Sequence, residues 1–203
     1  MDITAPQGFW ERYKQELFDL KLSQRLWRSD SLWTAITRDA AKNIIEKQEL
    51  ETTEDVSPND AEPRMLVAQT EYFRVDVIGY ERIEDCDWRL RIAFEHENGL
   101  GRWKQELCKL THVVADLRVL VAYHDFGDEK LEPVEEILKK SILKMEKYSN
   151  RMTRVPDSRW LFIFGPRRKT SRPDPFRAFT LDGTKVVELP EKSSPLIPAG
   201  WPE

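Results

Sequence analysis

Apolar residues recur at intervals of three and four along the first part of the chain, at Phe9, Tyr13, Leu17 and Leu20. This spacing predicts an amphipathic helix over residues 9–26. Ser29-Asp30-Ser31 is a helix-start signal, because short polar side chains cap the free N–H groups of a first turn. The run that follows, LWTAITRDAAKNIIEKQE, repeats the pattern with Leu32, Ile36, Ala40 and Ile44 on one face and Trp33, Ala41 and Ile45 alongside. The acidic, proline-bearing stretch ETTEDVSPNDAEP (residues 51–63) has no period and reads as a loop.

From Met65 the pattern changes. MLVAQTEYFRVDVIGYER is rich in β-branched and aromatic residues, and a turn is expected at residues 84–87. WRLRIAFE then alternates, with Leu90, Ile92 and Phe94 on one face and Arg89, Arg91, Ala93 and Glu95 on the other. Beyond the glycine-bearing link NGLG the period returns to helical, with Trp103, Leu107, Leu110 and Val114 as one stripe. DLRVLVAYHD and RWLFIFGP read as buried strands. Between them lies a long amphipathic helix, EPVEEILKKSILKMEKYSNRM, with proline in its first turn. A hairpin is expected in FTLDGTKVVEL, turning at Asp182-Gly183.

Helices, a strand meander, then helix, strand, helix, strand predict a mixed α/β fold, a central mixed sheet flanked by helices. The step from Phe94 to Tyr123 is expected to be a right-handed parallel crossover. One domain accounts for the length of 203 residues, with a core over about 30–165 and a Pro- and Arg-rich extension over 166–203.

Composition narrows the function classes. Charged residues make up 33% of the chain and the net charge is -4, so no whole-surface basic grip on nucleic acid is expected, although a local basic cleft is allowed. No apolar run approaches about 18 residues, so no membrane span is expected. The first residues carry no basic segment followed by an apolar core, and a cytoplasmic location is the expectation. Cys86 and Cys108 have no metal-binding spacing, and His96, His112 and His124 form no close helical pair, so zinc is not expected.

The chemistry gathers elsewhere. RIAFEHEN ends an apolar strand in two glutamates, and Glu95 and Glu97, two residues apart, share a face if the strand persists. VDVIG sets Asp76 inside an apolar run on the preceding strand, within reach of Glu95 if the two strands pair. Converging carboxylates raise one another's proton affinity unless a cation compensates, and all-oxygen ligands suit Mg²⁺ or Mn²⁺. His96 points to the opposite face and reads as a packed residue.

Val75-Asp76, Glu95-His96-Glu97 and the helix and strand after them resemble the restriction-endonuclease-like, or PD-(D/E)XK, nuclease superfamily, over roughly residues 30–125. The resemblance implies a core of helix, three strands, helix and strand, with Asp76 and Glu95 as metal ligands and Glu97 in the place of the motif's lysine. It also implies Mg²⁺ or Mn²⁺ as cofactor and phosphodiester hydrolysis as the activity. Val75 stands where the motif has proline, and Glu97 where it has lysine. Gln105, Lys109 and His112 form a polar stripe on the next helix, from which Lys109 or Gln105 is placed to supply the missing group.

GPRRKTSRPDPFR (residues 165–177) concentrates Arg167, Arg168, Lys169 and Arg172 beside Phe176. Such a segment suits phosphate contact and base stacking, or simply a solvated surface. The expected partner is nucleic acid, DNA ahead of RNA. Trp10, Trp27 and Trp33 are first core residues and second a dimer or partner surface, so a homodimer is compatible with them. Three functions are therefore in view: a metal-dependent nuclease using Asp76, Glu95, Glu97 and Lys109; a nuclease-fold module that binds without cutting; and a regulatory protein using its tryptophan-rich helices.

Overall fold

A computed structural model of the chain describes residues 2–19, 29–48, 51–54, 75–84, 87–99, 102–124, 132–149, 159–166 and 176–190. Helices α1 (Pro6–Asp19) and α2 (Asp30–Glu46) lead into β1 (Glu51–Glu54), β2 (Val77–Glu84) and β3 (Asp87–His96). Then come α3 (Trp103–Leu110), β4 (Leu117–His124), α4 (Val134–Ser149), β5 (Arg159–Pro166), β6 (Arg177–Asp182) and β7 (Lys185–Glu188). The seven strands form one mixed sheet in sequence order. Neighbouring pairs are antiparallel, except that β3–β4 and β4–β5 are parallel.

The fold is three-layered because β4 and β5 are apolar on both faces. Leu117, Val119, Val121, Leu161 and Ile163 pack with Phe9, Trp10, Tyr13 and Leu17 of α1 and with Trp33, Ala40, Ala41, Ile44 and Ile45 of α2. Leu120, Ala122, Trp160, Phe162 and Phe164 pack on the other side with Trp103, Leu107 and Leu110 of α3 and Val134, Leu138 and Ile142 of α4. Buried on both faces, such strands read as near-continuous apolar runs, and this is the mark of parallel strands in an α/β fold. Gly79 lets α2 approach the sheet: a Cβ there would lie 2.6 Å from Ile45 Cγ2.

Local signals account for several boundaries. Ser29 caps α2, its side chain accepting from the N–H of Leu32. Pro133 stands immediately before α4, its carbonyl accepting from Glu136 and Ile137. The β6–β7 hairpin closes with Asp182 opposite Lys185, so the two loop residues are Gly183 and Thr184, and Gly183 has φ 59°.

Other expectations are corrected. The acidic stretch starting at Glu51 begins with a strand, β1, which adds to the antiparallel edge of β2; residues 55–63 lie outside the described residues. The described part of the first helix is α1, and Trp27 lies outside the described residues. Alternation along β3 breaks at Arg91: Gly79 faces Ile92 but Tyr80 faces Leu90, a bulge that turns Leu90 to the α3–α4 side while Ile92 and Phe94 face α1 and α2. Helix α3 ends at Leu110, so the stripe does not reach Val114, which is 67% exposed; Val113 is buried in its place. The hairpin of residues 177–188 extends the sheet beyond β5, so the core continues past residue 165. Phe176 is a core residue rather than an exposed stacking group, and a Cβ at Gly165 would overlap its ring. Trp10 and Trp33 are buried core residues. No helix among the described residues is long and apolar enough to cross a membrane.

Arg118 is unexpected. It is the second residue of the parallel strand β4, wholly buried on the α3–α4 side, with its guanidinium over the Trp160 ring at 4.7 Å. Nε donates to the Val113 carbonyl at 2.6 Å, but Nη1 and Nη2 have no hydrogen-bond partner among the described residues. Burial pushes its pKa down to about 10. An uncompensated buried charge costs more than the ring contact and one hydrogen bond return. Arg118→Met is therefore expected to match or exceed the wild type in denaturant-measured stability, by up to about 2 kcal/mol. A loss of that size instead would show that the guanidinium is fully compensated.

Candidate functional site

The register of β2 against β3 sets Val77 opposite Phe94, so the residue before β2, Asp76, arrives beside Glu95 and His96. Asp76 sits at a bend ahead of the strand rather than within it. Its Oδ2 accepts the backbone N–H of His96 at 2.7 Å, and Arg38 of α2 donates to its backbone carbonyl at 3.4 Å. Glu95 projects to the α3 side of the sheet and is only 2% exposed.

The parallel crossover β3–α3–β4 returns α3 over this strand end. Lys109, in the last turn of α3, places Nζ 2.6 Å from Glu95 Oε1 and 2.6 Å from Glu106 Oε2. Asp76, Glu95, Lys109 and Glu106 therefore form one electrostatic group, with Arg38 at its edge. In their charged forms these five side chains hold three negative charges against two positive.

Titration follows from that imbalance. Burial first, and the neighbouring Asp76 carboxylate second, push Glu95 up to about 9 against the pull of Lys109. Burial also raises Asp76, opposed by the His96 N–H and by the charges of Arg38 and Lys109. Partial burial works to lower Lys109, but the carboxylates of Glu95 and Glu106 outweigh it and its proton affinity is raised. Burial wins at Glu95 because the carboxylate is enclosed and faces a second carboxylate. The carboxylates win at Lys109 because its ammonium lies between two of them. At neutral pH the group retains a proton.

Glu97 follows the last residue of β3. Its N–H donates to the Val121 carbonyl at 2.9 Å, and its carboxylate accepts from the backbone N–H of Gly99. Among the described residues no three His, Cys, Asp or Glu side chains stand close enough together to hold a metal ion. Asp76 and Glu95 are thus brought together with Lys109, and Glu97 is turned toward its own loop. Gln105 is exposed on α3, and His112 is exposed in the turn after it, so the expected polar stripe ends with the helix at Leu110. Arg167, Arg168, Lys169 and Arg172 lie outside the described residues, whereas Arg177 is committed to Glu188, through Nε at 2.7 Å, and to Glu135.

Two participants were not picked out from sequence. Glu106 was signalled only by its i,i+3 spacing from Lys109. Arg38 carried no signal, because it meets Asp76 through tertiary packing alone. His96 is packed, as its strand parity indicated: it is buried on the α2 side, with Nε2 2.7 Å from the Tyr123 hydroxyl.

No protein-family profile matches the chain, and no curated protein matches it. Among solved structures it is similar to the central domain of yeast acetyl-CoA carboxylase, at 14% identity and a TM-score of 0.41. That likeness covers 86% of this chain and 29% of the carboxylase chain, so the present chain spans under a third of that length. A likeness of this degree carries no inference about chemistry.

The sign of the pH dependence follows from Glu95. With a folded pKa near 9 against an ordinary value of 4.5, the native state holds a proton that the unfolded state has lost. The resulting stability is present in full below about pH 4.5 and is lost as pH rises toward 9, by up to about 1.4 kcal/mol per unit. In EDTA, Glu95→Gln is expected to flatten that slope and to exceed the wild type at pH 8 by about 1–3 kcal/mol in urea unfolding. A variant less stable than wild type at pH 8 would show that the Glu95–Lys109 ion pair, not the cost of burying it, governs the site.

Proposed function

We propose that the chain is a metal-dependent nuclease domain of restriction-endonuclease-like type, acting on DNA or RNA, in which Asp76 and Glu95 bind Mg²⁺ or Mn²⁺. The observation that carries this reading is Lys109, which comes from the helix after β3 to stand against Glu95, in the neighbourhood where the motif's lysine is expected and where Glu97 occupies its position. The order α2, β1, β2, β3, α3, β4 matches the helix, three strands, helix and strand expected of that superfamily, with Asp76 immediately before the second strand and Glu95 near the end of the third. Both features support the reading.

The donors fit a hard cation. Mg²⁺ is commonly held by one or two carboxylates, with water and substrate phosphate oxygens completing its shell, and the buried Glu95 with the half-buried Asp76, in a group with one negative charge in excess, are such a set. When bound, the cation would offset the charge that develops on the phosphate during hydrolysis. The chain's own groups do the rest. The His96 N–H fixes the orientation of Asp76. Glu106 tethers Lys109, whose ammonium is aimed at the same strand end and can face a phosphate oxygen there. Glu97 would join as a further carboxylate only if it left Gly99. The basic residues Arg167, Arg168, Lys169 and Arg172 would add phosphate contacts without sequence choice.

One observation favours a second reading, a nuclease-fold module that binds nucleic acid or protein without cutting it. Lys109 is already neutralised by two carboxylates, and a retained proton can take the place of a cation at Glu95.

Cleavage of single- and double-stranded DNA and RNA with Mg²⁺ or Mn²⁺ separates the two. The nuclease reading expects activity that Asp76→Ala abolishes and Lys109→Met lowers by about 10²-fold, with Mn²⁺ affinity in Lys109→Met retained or increased. A wild type inert on every substrate with both metals overturns it in favour of the binding module.

A further inference from the structure

We propose that Tyr123 is a positioning residue for the Asp76 carboxylate, acting from the opposite face of the sheet through His96. The proposal rests on the reading of Asp76 as a cation ligand. Asp76 lies outside the ladder of β2, and among the described residues a hydrogen bond to its carboxylate comes from the backbone N–H of His96. Where that N–H points depends on how the last residue of β3 is held.

The main chain of His96 runs in the parallel ladder beside Val121 of β4, where the next N–H, that of Glu97, donates to the Val121 carbonyl, and its ring adds a second hold. The imidazole stands edge-on to Tyr123, with ring centroids 5.6 Å apart at 86°, and Nε2 lies 2.7 Å from the hydroxyl. The same hydroxyl accepts from Trp33 Nε1 of α2. An indole nitrogen only donates, so the hydroxyl accepts from Trp33, and it meets His96 Nε2 as donor or acceptor according to the tautomer of the ring. Phe176 braces the pair, its ring centroid 6.3 Å from Tyr123 and 6.3 Å from Trp33. Trp33, His96 and Tyr123 are all buried, so the hydroxyl is held between α2, β3 and β4. One buried hydroxyl thus ties α2 and β4 to the residue whose main chain orients Asp76.

Removing it would leave Trp33 Nε1 and His96 Nε2 without this shared partner in an enclosed layer. Buried polar groups deprived of partners shift to find others, and the end of β3 would move with the ring. The test is Tyr123→Phe, with Tyr13→Phe as control, since Tyr13 is fully buried in the same layer but belongs to α1.

Amide hydrogen exchange by NMR reads the His96 N–H directly, against the amides of Val119 and Phe162 as a measure of general loosening. We expect His96 to exchange about tenfold faster in Tyr123→Phe relative to those references, and Mn²⁺ to bind about tenfold more weakly, as for loss of a group that orients a metal ligand. Tyr13→Phe should change neither. If Tyr123→Phe does not fold, Trp33→Phe removes the N–H that orients the hydroxyl and should accelerate the same amide less strongly. Unchanged relative exchange at His96 in a folded variant overturns the proposal. A wild type that binds no Mn²⁺ overturns the cation reading instead, and leaves the exchange difference as it is.

Discussion

A carboxylate buried at the end of a strand is costly unless its charge is balanced, and Glu95 is such a group with a second carboxylate beside it. The architecture around it can be understood from that constraint. The antiparallel register of β2 and β3 brings Asp76 to Glu95, and the parallel crossover through α3 supplies Lys109 as the nearest cation. The apolar residues of α3 exclude water from one side, while α1 and α2 close the other face of the sheet. What remains is a group one positive charge short of neutrality, which can be filled by a proton or by a cation. These two occupancies correspond to the two functions proposed.

Much of the sheet was legible because β4 and β5 are short apolar runs, rich in β-branched and aromatic residues and bounded by polar ones, as strands covered on both faces are. The start of α2 was legible from Ser29, a local signal with a local cause. Less could be read where tertiary packing overrode a local pattern. The acidic residues of β1 gave no strand signal, because an edge strand takes its order from its neighbour's ladder. The bulge opposite Gly79 and Tyr80 inverted the alternation of β3 upstream of Ile92, and nothing in WRLRIAFE announces it. Phe176 looked available beside a basic run, yet it fills the space that Gly165 leaves open.

The candidate site divides along the same line. Asp76 and Glu95 could be paired from strand parity and a plausible turn, and Lys109 could be aimed at them from its stripe on α3. Arg38 and the Trp33–Tyr123–His96 chain could not be found this way, since each joins elements far apart in sequence. The turn of Glu97 toward Gly99 was equally hidden: parity holds only while the strand lasts, and β3 ends at His96.

The central claim is that the excess proton at this site stands in for a cation. Calorimetric titration with Mn²⁺ at pH 7.5, in buffers of different ionisation enthalpy, measures the exchange directly. The account predicts binding at one site with release of close to one proton, about 0.5–1 allowing for partial ionisation of Glu95, and loss of both in Asp76→Ala. No binding, or binding that releases no proton and survives the loss of Asp76, would contradict it.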